Sequence, residues 1–361
     1  MRFVAATLAI ALSATSVAPE ESQSRRDHPF EADAIRLPSS TATIQGAGAT
    51  FPYPIYAKWG EAFKKETGIS LNYQSIGAGG GIKQIEANTV TFGASDVPLQ
   101  PDQLDGHGLV QFPMVMGAVV PIVNIDGIAA NDLTLDGPAL AKIFLGEIKT
   151  WDDPAIKALN PGVRLPSQAI VPIHRSDGAG TTFTFTHYLS KISADWRSKV
   201  GTDTVVEWPA GIGVKAMGGL LTVAQTKGSI GYTEYAYAKQ NKLAYTRMIN
   251  REGRTVAIGV ETKRAAAVSA DWMASPGHAV ILTDQPGASS WPITWATYVL
   301  MHKDIQKEGA AALKFFAWAY ARGDEMAEEL GYAPMPPDVK RSIWTIWQAE
   351  MRSADGEKLF R

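Results

Sequence analysis

Three glycine- or threonine-rich turns, each set between an expected strand and an expected helix, constrain this chain more than any other feature. They are Gly48-Ala49-Thr50-Phe51, Gly77 to Gly81, and Arg175-Ser176-Asp177-Gly178-Ala179-Gly180-Thr181-Thr182. Such turns let the backbone bend sharply and enter a helix, so an open α/β layer with ligand groups at strand ends is the expected architecture. Helix starts leave N–H groups without helical acceptors, and aligned peptide dipoles favour negative charge there. Capture of a small, phosphate-like oxyanion is the chemistry these turns suit.

The third turn carries the most chemistry. Arg175 can donate a fork of two charge-assisted bonds, and Asp177 is close enough in sequence to orient that fork. Gly180 and Thr181 can present N–H groups at the next helix start, with the Thr181 hydroxyl as a further donor. In the first turn Thr50 offers a hydroxyl beside the backbone donors of Thr50 and Phe51, but a threonine there serves equally as a plain N-cap. In the second, small residues allow close approach to an ion or simply make a tight turn. Asp96, after a short strand, would repel a fully ionised anion. It becomes useful if the ligand carries a proton, because monohydrogen phosphate can donate that hydrogen whereas sulfate has none to give.

Along the chain, spacing predicts a strand at 42–45, a helix over 54–67 stopped by Gly68, a strand at 69–74, a helix over 82–88 and a strand at 91–95. The apolar run Val115 to Val123 reads as a crossing from one part of the fold to another. Further βα units follow: a helix near 138–145, a strand at 169–173 and a helix starting near Thr181. The stretch 211–227 is expected to be helical with Gly228 as its stop. A strand at 294–301 and helices over 306–321 and 337–351 close the chain.

Composition excludes several classes. With 34 Lys and Arg interspersed among 36 Asp and Glu, formal charge is -2 and no basic stripe is present, so no nucleic-acid partner is expected. No cysteine occurs, which removes disulfides and thiolate chemistry. The six histidines lack close metal-ligand spacing, neither HExxH nor GxSxG occurs, and the nucleotide phosphate-loop pattern is missing despite Lys83. A binder without catalytic residues, metal or cofactor is expected, and a phosphoester hydrolase or a binder of another tetrahedral oxyanion is the alternative. Residues 1–18, with Arg2, an apolar run from Phe3 to Leu12 and small residues ending at Ala18, read as an export signal. Residues 19–40 read as a flexible arm.

The motifs GAGATFPYPIYAKW, NYQSIGAGGGIKQIEANTVTFGASDVPL, LGEIKTWDDPAIKALNPG and IGYTEYAYAKQNKLAYT occur in order between Thr43 and Trp347. Together they resemble the phosphate-binding protein family of the bacterial high-affinity phosphate importer. The resemblance implies an α/β, two-lobed periplasmic-binding-protein fold of type II, hinge-linked, with phosphate in the interlobe cleft. Lobe one would comprise 41–118 and 290–361, and lobe two 119–289. It also implies a periplasmic monomer that delivers inorganic phosphate to a membrane permease. Phosphate contacts would fall on Thr50, Phe51, Ala78, Gly79, Asp96, Arg175, Asp177, Ala179, Gly180 and Thr181. Ala78 and Ala179 stand where the family pattern has serines, leaving peptide N–H groups at both places. Either weaker affinity or compensation by Ser75 or Ser95 is expected.

Overall fold

The computed structural model describes residue 35 and residues 43–272, 274–305, 307–353 and 359–360. The expected export signal lies outside the described residues, as does the arm except for Ile35. Ile35 is buried and bridges Phe360, so this residue is packed against the far end of the chain.

Strand β1 (Ile44–Gly48) leads into α1 (Tyr53–Thr67), with prolines at its start and Gly68 as its stop. Gly68 adopts φ 79° and donates its N–H to the Lys64 carbonyl, a left-handed cap that glycine takes without strain. Ile55, Tyr56, Trp59 and Phe63 share the buried face of α1, and the Trp59 indole N–H donates to the Gly323 carbonyl at 3.0 Å. After β2 (Leu71–Ser75), α2 (Ala78–Glu86) begins four residues before the expected start at 82, running through glycines that read as a turn. Close packing accounts for the difference. A Cβ on Gly81 would come within 2.4 Å of the Gly48 Cα, so glycine is what lets α2 rest on β1.

The chain continues through β3 (Phe92–Ser95), β4 (Leu109–Val123), β5 (Val171–Arg175), α3 (Gly180–Ile192), β6 (Ile212–Val214), β7 (Ser229–Glu234), α4 (Tyr235–Gln240) and β8 (Ala244–Tyr245). The helix expected over 211–227 does not form. Residues 212–214 instead pair in parallel with 173–175 at the edge of the sheet, Ala216 turns at φ 56°, and only two four-residue helical turns follow. Beyond them lie α5 (Val260–Val268), β9 (Thr294–His302), α6 (Lys307–Arg322), β10 (Ala333–Pro334) and α7 (Pro337–Glu350).

Among the described residues a ten-stranded sheet runs β2-β1-β3-β9-β4-β7-β5-β6, with β8 and β10 also pairing with β4. Every residue of β4 is buried, including Gln111, whose amide accepts from the Leu99 N–H and donates to the Leu99 carbonyl, both at 2.9 Å. Residues 109–118 of β4 pair antiparallel with β9, whereas 119–123 pair antiparallel with β7. Where the neighbours change, the Val119 N–H donates to the Ile293 carbonyl and the Trp291 indole N–H donates to the Val119 carbonyl, both at 2.9 Å. Helix α5 packs on β10 and β4. Arg264 pairs with Glu328, and the Tyr298 hydroxyl donates to the Val280 carbonyl. Residues 260–280 thus contact elements of 41–118 and 290–361, although the sequence grouped them with 119–289.

Candidate anion-binding site

Strand β5 ends at Arg175, whose guanidinium is clamped by Asp177: Nε donates to Oδ1 and Nη2 to Oδ2, each at 2.6 Å. The Arg175 side chain is only 10% exposed, so this paired cation is largely desolvated. The Ala216 N–H adds a 3.1 Å bond to Asp177 Oδ1. The arginine bonds hold the Asp177 carboxyl below the usual carboxylate range. Tyr232 of β7 ties the strand to the helix that follows, because its hydroxyl accepts from the Arg175 N–H at 3.2 Å and shares a 2.7 Å bond with the Thr182 hydroxyl.

Helix α3 starts at Gly180 after Ala179 in extended conformation. The expectation that the Ala179 N–H is available to an ion fails, since it donates to the Thr204 carbonyl at 3.1 Å. Gly180 and Thr181 follow as the first two residues of α3. Gly180 lies against the Asp96 side chain: a Cβ there would sit 2.9 Å from the Asp96 Cβ and 3.0 Å from Oδ2. The end of β3 and the start of α3 therefore meet, although 84 positions separate the two residues in the chain. Thr181 Oγ1 and Asp96 Oδ1 are both buried without a hydrogen-bond partner. A donor and an acceptor left so carry a desolvation cost of about 1–3 kcal/mol each unless a ligand pairs with them. Burial pushes Asp96 up to about 7, against the opposing effect of the Thr297 hydroxyl.

The other two turns converge on Gly48. Its carbonyl accepts the N–H groups of Ile76 and Gly77, at 3.1 and 2.9 Å, while Ala78 and Gly79 open α2. Register pairs Gly48 with Ala94, two residues before Asp96. Phe51 is buried, with its ring against Trp295 and Tyr332 and its carbonyl accepting the Tyr332 hydroxyl at 2.7 Å; Thr50 is exposed beside it. Ser95 is no substitute donor: its hydroxyl donates to the Val97 carbonyl at 2.6 Å. Ser75 is exposed, opposite Gly48 in the β1–β2 ladder.

Sequence reasoning missed two residues here. Tyr232 positions Arg175, and Glu234, two residues on, is a buried acid that burial and then Asp96 push up to about 8, with Arg175 opposing. An acidic residue closing an otherwise uncharged strand was the available signal.

An α/β sheet with glycine- and threonine-rich turns at its strand ends is a build that suits a solute-binding protein, and the PBP superfamily domain matches residues 22–322. The chain is 51% identical over 320 residues to the phosphate-binding protein PstS of Haemophilus influenzae, covering 88% of this chain and 96% of that one. It is 48% identical over 328 residues to the PstS of Pasteurella multocida, covering 90% and 95%. The fold is similar to that of a high affinity periplasmic phosphate-binding protein, PfluDING, solved bound with phosphate, at TM-score 0.65 and 20% identity over 84% of this chain and 93% of that one. This chain belongs to the PstS family of phosphate-binding proteins.

Proposed function

We infer that this protein binds inorganic phosphate in the periplasm and delivers it to an ABC importer through a membrane permease; its activity is binding, with no catalytic step. Arg175, oriented by Asp177, supplies the cation. The N–H groups of Gly180 and Thr181 and the Thr181 hydroxyl supply donors from α3, and those of Thr50, Phe51, Ala78 and Gly79 supply donors from the first two turns. Asp96 accepts the hydrogen of the bound phosphate. The observation that carries this reading is the meeting of Asp96 with Gly180 at the start of α3, together with a buried Asp96 Oδ1 and a buried Thr181 Oγ1 that each lack a hydrogen-bond partner.

The protein works as a hinge-linked monomer of two lobes with the ion in the cleft. The crossings lie at 118–119 and 290–293, where the neighbours of β4 change. Residues 260–280 move with lobe one, given their contacts with β4 and β10. Closure orders the donors and expels water, which strengthens each bond to the ion.

Calorimetric titration of ligand-stripped protein tests this reading. Phosphate is expected to bind at one site per chain and to outcompete sulfate, whereas equal or tighter sulfate binding would overturn the role of Asp96. Gly180→Ala supplies a second check. Its Cβ must displace the Asp96 carboxyl, so phosphate affinity is expected to fall by about 1–2 kcal/mol, or roughly five- to thirty-fold, with the fold retained by circular dichroism. Unchanged affinity in this variant would separate Asp96 from the ion site.

A further inference from the structure

Glu234 is a buried acid that the phosphate contacts above leave unused. Side chains alternate along a strand, so it lies on the same face of β7 as Tyr232, whose hydroxyl reaches Thr182 in the first turn of α3. Glu234 is the last residue of β7, two positions beyond Tyr232. It is 8% exposed. It occupies the N-cap position of α4 yet makes no capping bond, and no hydrogen bond reaches its carboxylate among the described residues. Its partner across the ladder is Val119, the residue tied to Ile293 and Trp291 where the neighbours of β4 change.

The groups facing Glu234 come from four elements. Asp96 follows β3, Arg175 ends β5 with Asp177 clamped to it, and Tyr332 precedes β10. Lys263 of α5, whose amine lies 5.1 Å from the centre of the Tyr235 ring and donates to the Gly331 carbonyl, is pushed down to about 7 by burial and supplies no standing cation in the alkaline range. One guanidinium thus serves three carboxylates, one of which already neutralises it. With Glu234 ionised, an incoming phosphate dianion meets two unpaired negative groups; with Glu234 protonated it meets one.

We propose that Glu234 takes up a proton from solvent as phosphate enters, and that holding this proton sets the alkaline limit of phosphate binding. The proposal rests on the phosphate reading above and deepens it. The hydrogen of the phosphate itself goes toward Asp96, so the proton on Glu234 is an additional one drawn from the buffer. Burial already raises Glu234 to about 8, and a bound dianion raises it further. Above that pH the free protein has lost a proton that the complex holds, so affinity falls as pH rises, by up to about tenfold per unit.

The test is calorimetric titration with inorganic phosphate in two buffers of different ionisation heat, at about pH 9 and about pH 6.5. The wild-type protein is expected to absorb close to one proton per phosphate at the higher pH and far less at the lower. Glu234→Gln is expected to absorb correspondingly less, with affinity staying level where that of the wild type declines. Equal uptake and parallel pH profiles in the two proteins would overturn the proposal. So would a wild type that binds phosphate at the higher pH without taking up a proton, a result that needs no variant to fold. Failure of phosphate to bind at both pH values would overturn the phosphate reading and this proposal with it.

Discussion

Replacing Arg175 by alanine is expected to weaken phosphate binding by about 2–5 kcal/mol, roughly thirty- to several-thousand-fold, as read by calorimetry. The size follows from burial. The Arg175 side chain is 10% exposed and its guanidinium is fixed by two 2.6 Å bonds to Asp177, so the ion meets a cation that needs little further ordering. Its loss also leaves the Asp177 carboxylate facing the anion with its principal partner gone. Lysine restores the charge but not the planar fork, so Arg175→Lys is expected to recover only part of the affinity. Phosphate affinity within twofold of wild type in the alanine variant would remove Arg175 from the site.

Asp96→Asn is expected to move selectivity and stability in opposite senses. An amide can donate to an ion that has no proton to give, so the preference for phosphate over sulfate should fall by about 1–3 kcal/mol, roughly five- to 150-fold. The ligand-free variant should at the same time be more stable at alkaline pH. The Asp96 carboxyl sits near 7 in the folded protein against an ordinary 3.8. Between those values the folded state binds more protons than the unfolded one, so the stability of the ligand-free protein declines as pH rises through that window. Asparagine removes the share of the decline that Asp96 contributes and leaves that of Glu234. Thermal unfolding from about pH 4 to 8 should therefore show the wild type losing stability that the variant keeps, by about 1–3 kcal/mol at the upper end. Parallel curves would mean that Asp96 does not carry this buried charge.

Much of this site could be read from the sequence because the turns that build it are local. Gly68, the start of α3 and the Arg175–Asp177 pair each depend on a few neighbouring residues, and they form as their spacing predicts. The misses are tertiary. Gly79 to Gly81 read as a turn but belong to a helix, because the reason for glycine there is the approach of Gly48 from another strand. Residues 212–214 became an edge strand because β5 offered an unpaired ladder, a partner invisible in their own apolar spacing. The Ala179 N–H looked free for an ion because Thr204, its acceptor, is distant in the chain. Glu234 drew no attention because its burial arises from β7 lying between β4 and β5.

The central claim is that a phosphate ion is held between the clamped guanidinium, the first turn of α3 and the carboxyl of Asp96. A crystal structure of the protein grown with inorganic phosphate tests it most directly. The account predicts a tetrahedral ion within hydrogen-bonding distance of Arg175, of the Gly180 and Thr181 N–H groups, and of Asp96 Oδ1. An ion seated elsewhere, with Thr181 Oγ1 and Asp96 Oδ1 still lacking partners, would contradict it.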